Sequence, residues 1–377
     1  MTFILWVNII ALLFSFFVAG VLLGALFSTF VREKLGKLLS LRQFTRSAKN
    51  PILKPDSHPW AAAAVMNPAA AIINGRTHLI YRAIGVDGVS RFGYASSSDG
   101  IVFNERLPYP IYTAPVSAPT GSQSRLYSPI LYPSGGSWGG YEDPRMVIID
   151  GRVYVTFNIL ENWDMHVAYI SMPIADFLEK RFYKWEGPTV ISGGKQNKHN
   201  LPWSSKERDK NWTLFPEKIG GKFAVLHTII NEDPNRVSIE YVDDLATLPN
   251  REFDTVDPQK VPDQRIAWHL HVRSAGPPPI KTPRGWLVLY HANDAEGYKY
   301  KIGAMLLDLA DPTHVIARAS QPVLEPDYPY ENHGKPGIVY ACGATVQGDT
   351  LSIYYGGADK VVCVATTPLT AFVDSLF

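Results

Sequence analysis

Along most of this chain, apolar positions come in short runs, alternating with polar ones or unbroken, and each run is halted by a turn containing glycine. That pattern predicts β-strands joined as hairpins rather than helices. Five stretches share it: AAAIINGRTHLIYRA from Ala69, MVIIDGRVYVTFNI from Met146, TLFPEKIGGKFAVLHTI from Thr213, PPPIKTPRGWLVLYHA from Pro277 and ACGATVQGDTLSIYYGG from Ala341. Their turn glycines, Gly75, Gly151, Gly221, Gly285 and Gly348, stand 76, 70, 64 and 63 residues apart, the mark of a repeated supersecondary unit. A further β-rich run follows every hairpin, beginning at Ser90, His166, Arg236, Lys301 and Lys360. Three or four strands per unit, five times over, predict an all-β five-bladed β-propeller, whose radial arrangement leaves only short sheet edges. A β-sandwich with incidental likeness among its hairpins is the alternative.

The amino terminus breaks the pattern. Residues 1–31 carry no charge and are dominated by Ile, Leu, Phe and Val, long enough to cross a bilayer as one transmembrane helix. They lack the basic start and the clear cleavage site of a secretory signal, so an uncleaved anchor is expected. Arg32, Lys34, Lys37, Arg42, Arg46 and Lys49 follow against the single acid Glu33, which by the positive-inside rule places this flank in the cytoplasm. The expected organisation is a membrane anchor over 1–31, a basic juxtamembrane linker over 32–50 and a propeller domain over 51–377, single-pass and facing the cytoplasm. The linker reads equally as a membrane-surface segment or as a solvated tether.

Composition narrows the functional classes. A net charge of +1 argues against a dedicated nucleic-acid surface. Only Cys342 and Cys363 are present, which excludes a disulfide framework. The 29 glycines and 29 prolines supply turns for an all-β array.

Hairpin geometry says where chemistry belongs, because residues just before a first strand and just after a second share one end of the unit. Before the first strands stand Asn67, Glu142-Asp143-Pro144-Arg145, Lys210-Asn211 and Glu217-Lys218; after the second strands stand Arg82, Asn158, His227, His291 and Asp359. If the first strands line the central axis, these groups converge at one mouth, the default location of a binding site. Any one of them alone reads equally as a turn residue or an ion-pair partner. His227 and His291 have no ligand spacing around them, so no metal is expected.

The ordered set NPAA at Asn67, YRAIGVDGVSRFGYASSSDG from Tyr81, GGYEDPR from Gly139, LFPEKIGGK from Leu214, GPPPIKTPRGWLVLYH from Gly276 and YYGGAD from Tyr354 resembles glycoside hydrolase family 130. That family comprises mannoside phosphorylases and related mannosidases on five-bladed propellers, and the resemblance runs from about Asn50 to Phe372, leaving out the amino-terminal segment. It implies an inverting β-mannoside phosphorylase that takes a mannose-containing saccharide and inorganic phosphate as co-substrate, without a cofactor, and yields mannose 1-phosphate. It implies Asp143 as general acid and Asn67, Arg82 and Asp359 as ligands of the mannosyl ring, with Glu142 and Arg145 ordering Asp143. Lys210, Asn211, Lys281, His291 and Tyr300, with Arg91, are similar to its phosphate-site residues. An anionic nucleophile needs cations and hydrogen-bond donors beside the anomeric carbon rather than a second carboxylate as base. Two positions depart from the family's phosphorylases: Lys210 stands where Arg is common, and His227-Thr228 where His-Arg is common. A β-mannosidase using water, with Glu217 or another mouth acid as base, and a non-catalytic membrane-tethered sugar-binding propeller are the alternatives.

Overall fold

A computed structural model describes residues 44–115, 126–161, 164–192, 210–228, 236–250, 268, 271–294 and 299–377. The strands fall into the five units that the hairpin pattern predicts. Strand β1 (Thr45–Arg46) precedes unit one, built from β2 (Ala64–Ile73), β3 (Arg76–Ile84), β4 (Val89–Ser97) and the short β5 (Glu105–Arg106) and β6 (Tyr112–Thr113). Unit two holds β7 (Gly139–Ile149), β8 (Arg152–Glu161), β9 (Asp164–Pro173) and β10 (Glu186–Val190); unit three holds β11 (Thr213–Leu214), β12 (Phe223–Thr228) and β13 (Ser238–Val242). Unit four holds β14 (His271–Ala275), β15 (Ile280–Thr282), β16 (Gly285–Asn293), β17 (Tyr300–Leu307) and β18 (Val315–Arg318). Unit five holds β19 (Val339–Gln347), β20 (Thr350–Gly357) and β21 (Val361–Pro368).

The turns form for the reason the sequence suggests. Asn74-Gly75 and Asp150-Gly151 are two-residue hairpin loops with positive φ at both positions, the twist that suits antiparallel strands and that Asn, Asp and Gly tolerate. Strand β1 then pairs with β21 through Thr45 with Thr366 and Arg46 with Ala365, adding an early strand to the last unit.

The core lies between units rather than within one layer. Tyr94, Phe92 and Ile80 of unit one pack with Phe157 and Ile170 of unit two, and Val147 with Val225 of unit three. Leu226 packs with Trp286 and Val288 of unit four, Leu289 with Ile353 of unit five, and Tyr354 and Val364 return to Leu79 and Tyr81 of unit one. Each of these buried side chains contributes about 1.5–3 kcal/mol by leaving water, and together the five interfaces close a ring.

The expectation of five separate blades preceded by one transmembrane helix needs correction. The class is all-β, but β4 pairs in parallel with β7 through Val89–Gly139 and Ser90–Gly140, merging the first two units into one nine-stranded sheet, and unit three has three strands. Gly140 makes that junction possible, since its φ of 110° and the closeness of Ser90 O leave no room for a side chain. The helix goes too: among the described residues no helix is long and apolar enough to cross a membrane. The segment 1–31 from which the anchor and the membrane localisation were read lies outside the described residues. The linker expected over 32–50 is corrected in its second half, where Phe44 packs on Phe372 with ring centroids 5.1 Å apart and Thr45–Arg46 is a strand. Beyond unit two's third strand, Glu186–Val190 pairs along β9, and residues 193–209 lie outside the described residues.

One ion pair ties β1 to unit five. Arg46 donates from Nε to Glu331 Oε1 at 2.7 Å and from Nη2 to Oε2 at 3.1 Å, and Glu331, fully buried, also accepts from Tyr355 Oη at 2.8 Å and from the amides of Asp327 and Tyr328. Removing one partner of a buried pair leaves the other charge unsolvated. Arg46→Met is therefore expected to lower the free energy of unfolding by about 3 kcal/mol. A urea midpoint equal to that of the wild type would contradict this.

Candidate active site

The candidate mouth is built from irregularities in otherwise regular strands. The β2–β3 register shifts between Met66 and Ala69, and the β7–β8 register between Glu142 and Arg145. At each shift sits an Asx-Pro pair, Asn67-Pro68 and Asp143-Pro144, with the Asx residue in the left-handed region at φ 47° and 52°. Asn and Asp are among the few non-glycine residues that tolerate this conformation, and proline brings no amide to leave unpaired in a bulge. Asn211 at φ 64° and Asp359 at φ 51° repeat the left-handed Asx at the corresponding ends of units three and five.

The two bulges aim their side chains at each other. Asn67 Nδ2 donates to Asp143 Oδ1 at 2.7 Å, and Arg82 Nη1 donates to the same oxygen at 3.2 Å. Arg82 reaches Glu142 Oε1 through Nη2 at 2.7 Å and is oriented by Ser90 Oγ, Ser137 Oγ and the carbonyl of Ser134. Glu142 accepts further from the hydroxyls of Ser134 and Ser137. All three charged groups are buried. Burial pushes the Glu142 carboxyl above its usual range despite Arg82. Burial also opposes ionisation of Asp143, but there the charges of Arg82 and Lys210 and the Asn67 hydrogen bond prevail, holding its carboxyl below the usual range.

Arg145 extends the cluster inward. It donates from Nη1 to the Asp143 carbonyl at 2.8 Å and to Asn211 Oδ1 at 3.3 Å, and caps the carbonyls of Ala275 and Gly276 in unit four. Asn211 is held on both sides, by Asn158 and by Tyr340 Oη at 3.0 Å. His291 stacks on Tyr340 with centroids 3.7 Å apart, and its Nε2 accepts the Ala341 amide at 3.0 Å. Burial, with the Arg145 charge behind it, drives its pKa down to about 3, so the ring is a neutral imidazole whose proton sits on Nδ1. Units one, two, three, four and five thus each send a polar group into one cluster.

Several expected members lie elsewhere. Lys281 pairs with Trp286 in the β15–β16 hairpin, five residues along β16 from His291, about 16 Å away at strand rise. There Nζ contacts Glu217 at 2.5 Å, beside a cavity of about 330 Å³ lined by Ile72, Ile148, Ile280 and Val346 at the turn end of the first strands. Lys218 joins Asp150 at that same end. Glu217 and Lys218, expected before the first strand of unit three, follow it instead, because that strand starts at Thr213. Arg91 is engaged two-pronged by Asp87, at 3.0 and 2.6 Å. Tyr300 stands at the edge, its ring 6.0 Å from Tyr340, and His227 packs on Trp212. Asp359 does reach the cluster, beside Lys335 Nζ at 3.6 Å, with its carboxyl raised by burial against the pull of Lys335 and Arg82.

Sequence reasoning missed Ser134, Ser137, Tyr340 and Lys335. The glycines at 135 and 136, both at positive φ, were the available signal for a tight loop delivering the two serines.

The family model described as beta-1,4-mannooligosaccharide phosphorylase, glycoside hydrolase 130, matches residues 42–376. A 1,2-beta-oligomannan phosphorylase of Thermoanaerobacter sp. is 35% identical over 329 residues, covering 85% of this chain and 95% of that one. A beta-1,2-mannobiose phosphorylase of the same organism is 31% identical over 338 residues, covering 86% and 96%. The solved structure of the beta-1,2-mannobiose phosphorylase from Listeria innocua in complex with beta-1,2-mannobiose superposes with a TM-score of 0.63 at 23% identity, over 88% of this chain and 99% of that one; at that identity the likeness speaks for the fold alone.

Two consequences can be measured. A Cβ on Gly356 would overlap Asn67 Oδ1, so Gly356→Ala is expected to separate Asn67 from Asp143 and lower turnover about tenfold or more, the loss of a hydrogen bond to a charged group. Unchanged turnover in that variant would remove Asn67 from the machinery. Lys281→Ala is expected to leave the apparent affinity for phosphate within about twofold, because its charge lies beyond a Debye length of about 8 Å from the cluster. A marked weakening would return Lys281 to the site.

Proposed function

The chain belongs to glycoside hydrolase family 130, and we propose from its mouth how it uses that inheritance. The enzyme is a β-mannoside phosphorylase, moving a mannosyl group between a β-mannoside and inorganic phosphate. In our reading the linkage cleaved is β-1,2, as in the names of the two Thermoanaerobacter relatives.

The observation that carries the reading is the charge balance around Asp143. Arg82, Arg145 and Lys210 act on it, whereas its acidic neighbours are themselves engaged, Glu142 by Arg82 and two serines and Asp359 by Lys335. Such a mouth suits an anionic nucleophile. Glu217, the candidate base for a water nucleophile, is bound to Lys281 at the opposite end.

Mannosyl hydroxyls would contact Asn67, Arg82 and Asp359, and phosphate would sit near Lys210, Asn211, Arg145 and the Nδ1 side of neutral His291. A phosphate oxygen attacks the anomeric carbon from the face opposite the leaving group, the C1–O bond breaks, and the Asp143 proton passes to the departing sugar oxygen. Inversion of the β-linkage gives mannose 1-phosphate in the α-configuration. Before phosphate arrives, the neighbouring cations hold Asp143 ionised; the phosphate dianion works against those cations and draws a proton onto it. The acid is then loaded when the nucleophile is in place. Phosphate is co-substrate, and the sequence of steps calls on no cofactor.

Incubation of the purified protein with β-1,2-mannobiose is expected to give mannose 1-phosphate only when phosphate is present. Free mannose as the sole product, independent of phosphate, would replace phosphorolysis by hydrolysis. Asp143→Asn is expected to lower kcat about a hundred- to ten-thousand-fold with its fold retained, as circular dichroism would show, the usual worth of a general acid; near wild-type turnover would end its assignment.

A further inference from the structure

Lys335 bridges two segments that are far apart in sequence and meet at the mouth. Its ammonium donates to the carbonyl of Pro133 at 2.9 Å, in the loop whose Ser134 and Ser137 hold Arg82 and Glu142, and lies 3.6 Å from Asp359 Oδ2. Its amide donates to Ala358 O at 2.9 Å, so backbone and side chain grip the same turn. The segment carrying it is fixed at both ends. Glu331, held by Arg46, accepts the amides of Asp327 and Tyr328 on one side, while Gly337 N donates to Asn332 Oδ1 and Gly337 O accepts from the Tyr300 amide on the other. Lys335 is half-exposed, so this arrangement is not a by-product of core packing.

We propose that Lys335 is a specificity-determining residue that keeps Asp359 as an ionised, two-oxygen acceptor for a pair of hydroxyls on the bound mannosyl ring. An ionised carboxylate only accepts, and it takes two O–H donors with charge assistance; once protonated it spends an oxygen as a donor and loses that match. The groups facing Asp359 are Arg82 on β3, Asp143 on β7, Tyr127 on the loop of residues 126–138 and Lys335, with Lys360 next along its own turn and tied to Ala63 O. Burial and the negative charge of Asp143 both favour its protonated form, and Lys335 and Arg82 oppose them. Arg82 is shared with Glu142 and Asp143, which leaves Lys335 as the cation dedicated to this carboxylate.

The inference rests on Asp359 being a sugar ligand, and the test separates the two ideas. Phosphorolysis of β-1,2-mannobiose is followed from acid to neutral pH in the wild type, Lys335→Gln, Lys335→Arg and Asp359→Asn. Protonation of Asp359 costs binding as pH falls, so Lys335→Gln is expected to raise KM with kcat little changed and to lower kcat/KM about tenfold at the acid end, less at neutral pH, the effect of removing an opposite charge near a carboxylate. Lys335→Arg restores the profile. Lys335→Met, apolar and of similar length, serves where Gln does not fold. A wild-type pH profile and KM in the uncharged variants overturns the role of Lys335 while Asp359→Asn still raises KM. An unchanged KM in Asp359→Asn overturns the sugar-ligand reading itself.

Discussion

Arg82 stands between two buried acids, 2.7 Å from Glu142 and 3.2 Å from Asp143, and the mouth is arranged around the cost of putting those three charges out of water. A buried ion keeps its place only when its hydrogen-bonding capacity is met. Arg82 is met by two acids, the hydroxyls of Ser90 and Ser137 and the carbonyl of Ser134, and Glu142 by the hydroxyls of Ser134 and Ser137. Satisfying Arg82 from unit two requires Asp143 to turn out of its strand, which is what the left-handed bulge before Pro144 accomplishes. The pair is divided electrostatically, because burial raises Glu142 despite Arg82 while Arg82, Lys210 and the Asn67 hydrogen bond together hold Asp143 low against the same burial. Two adjacent carboxyls of one motif thereby acquire different roles.

The ring closure brings the remaining groups to that contact. Five apolar interfaces join each unit to the next and the last to the first, so strand ends distant in sequence meet at one mouth. The opposite ends of the first strands are apolar and carry the Lys281–Glu217 pair at their edge. A second chain of contacts runs from Arg46 through Glu331 to the segment of Lys335 and on to Asp359. The strand that completes unit five therefore also steadies one side of the mouth.

Much of this was legible beforehand because it depends on local rules. Asn-Gly and Asp-Gly pairs mark their hairpins, and strand direction followed from them, which put Asn67, Arg82, Asp143, Asn211, His291 and Asp359 at one end. Where the start of a strand was misjudged, the logic inverted: Glu217 and Lys218 were assigned to the mouth although their first strand begins at Thr213. Lys281 was carried over by resemblance, against the strand argument itself, which places it at the hairpin turn. Arg91 has no sequence mark that distinguishes a ligand from the partner of Asp87 four residues earlier.

By itself, then, the sequence determined the all-β class, the fivefold hairpin repeat and the Asx-Pro setting of Asp143, since turn chemistry and alternation act over a few residues. Only the tertiary structure decided the merging of units one and two through Gly140, the neutral state of His291, the sharing of Arg82 between Glu142 and Asp143, and the placing of Lys335 beside Asp359. Each of these depends on burial or on contact between residues tens to hundreds of positions apart, and neither desolvation nor such proximity is written in a linear pattern.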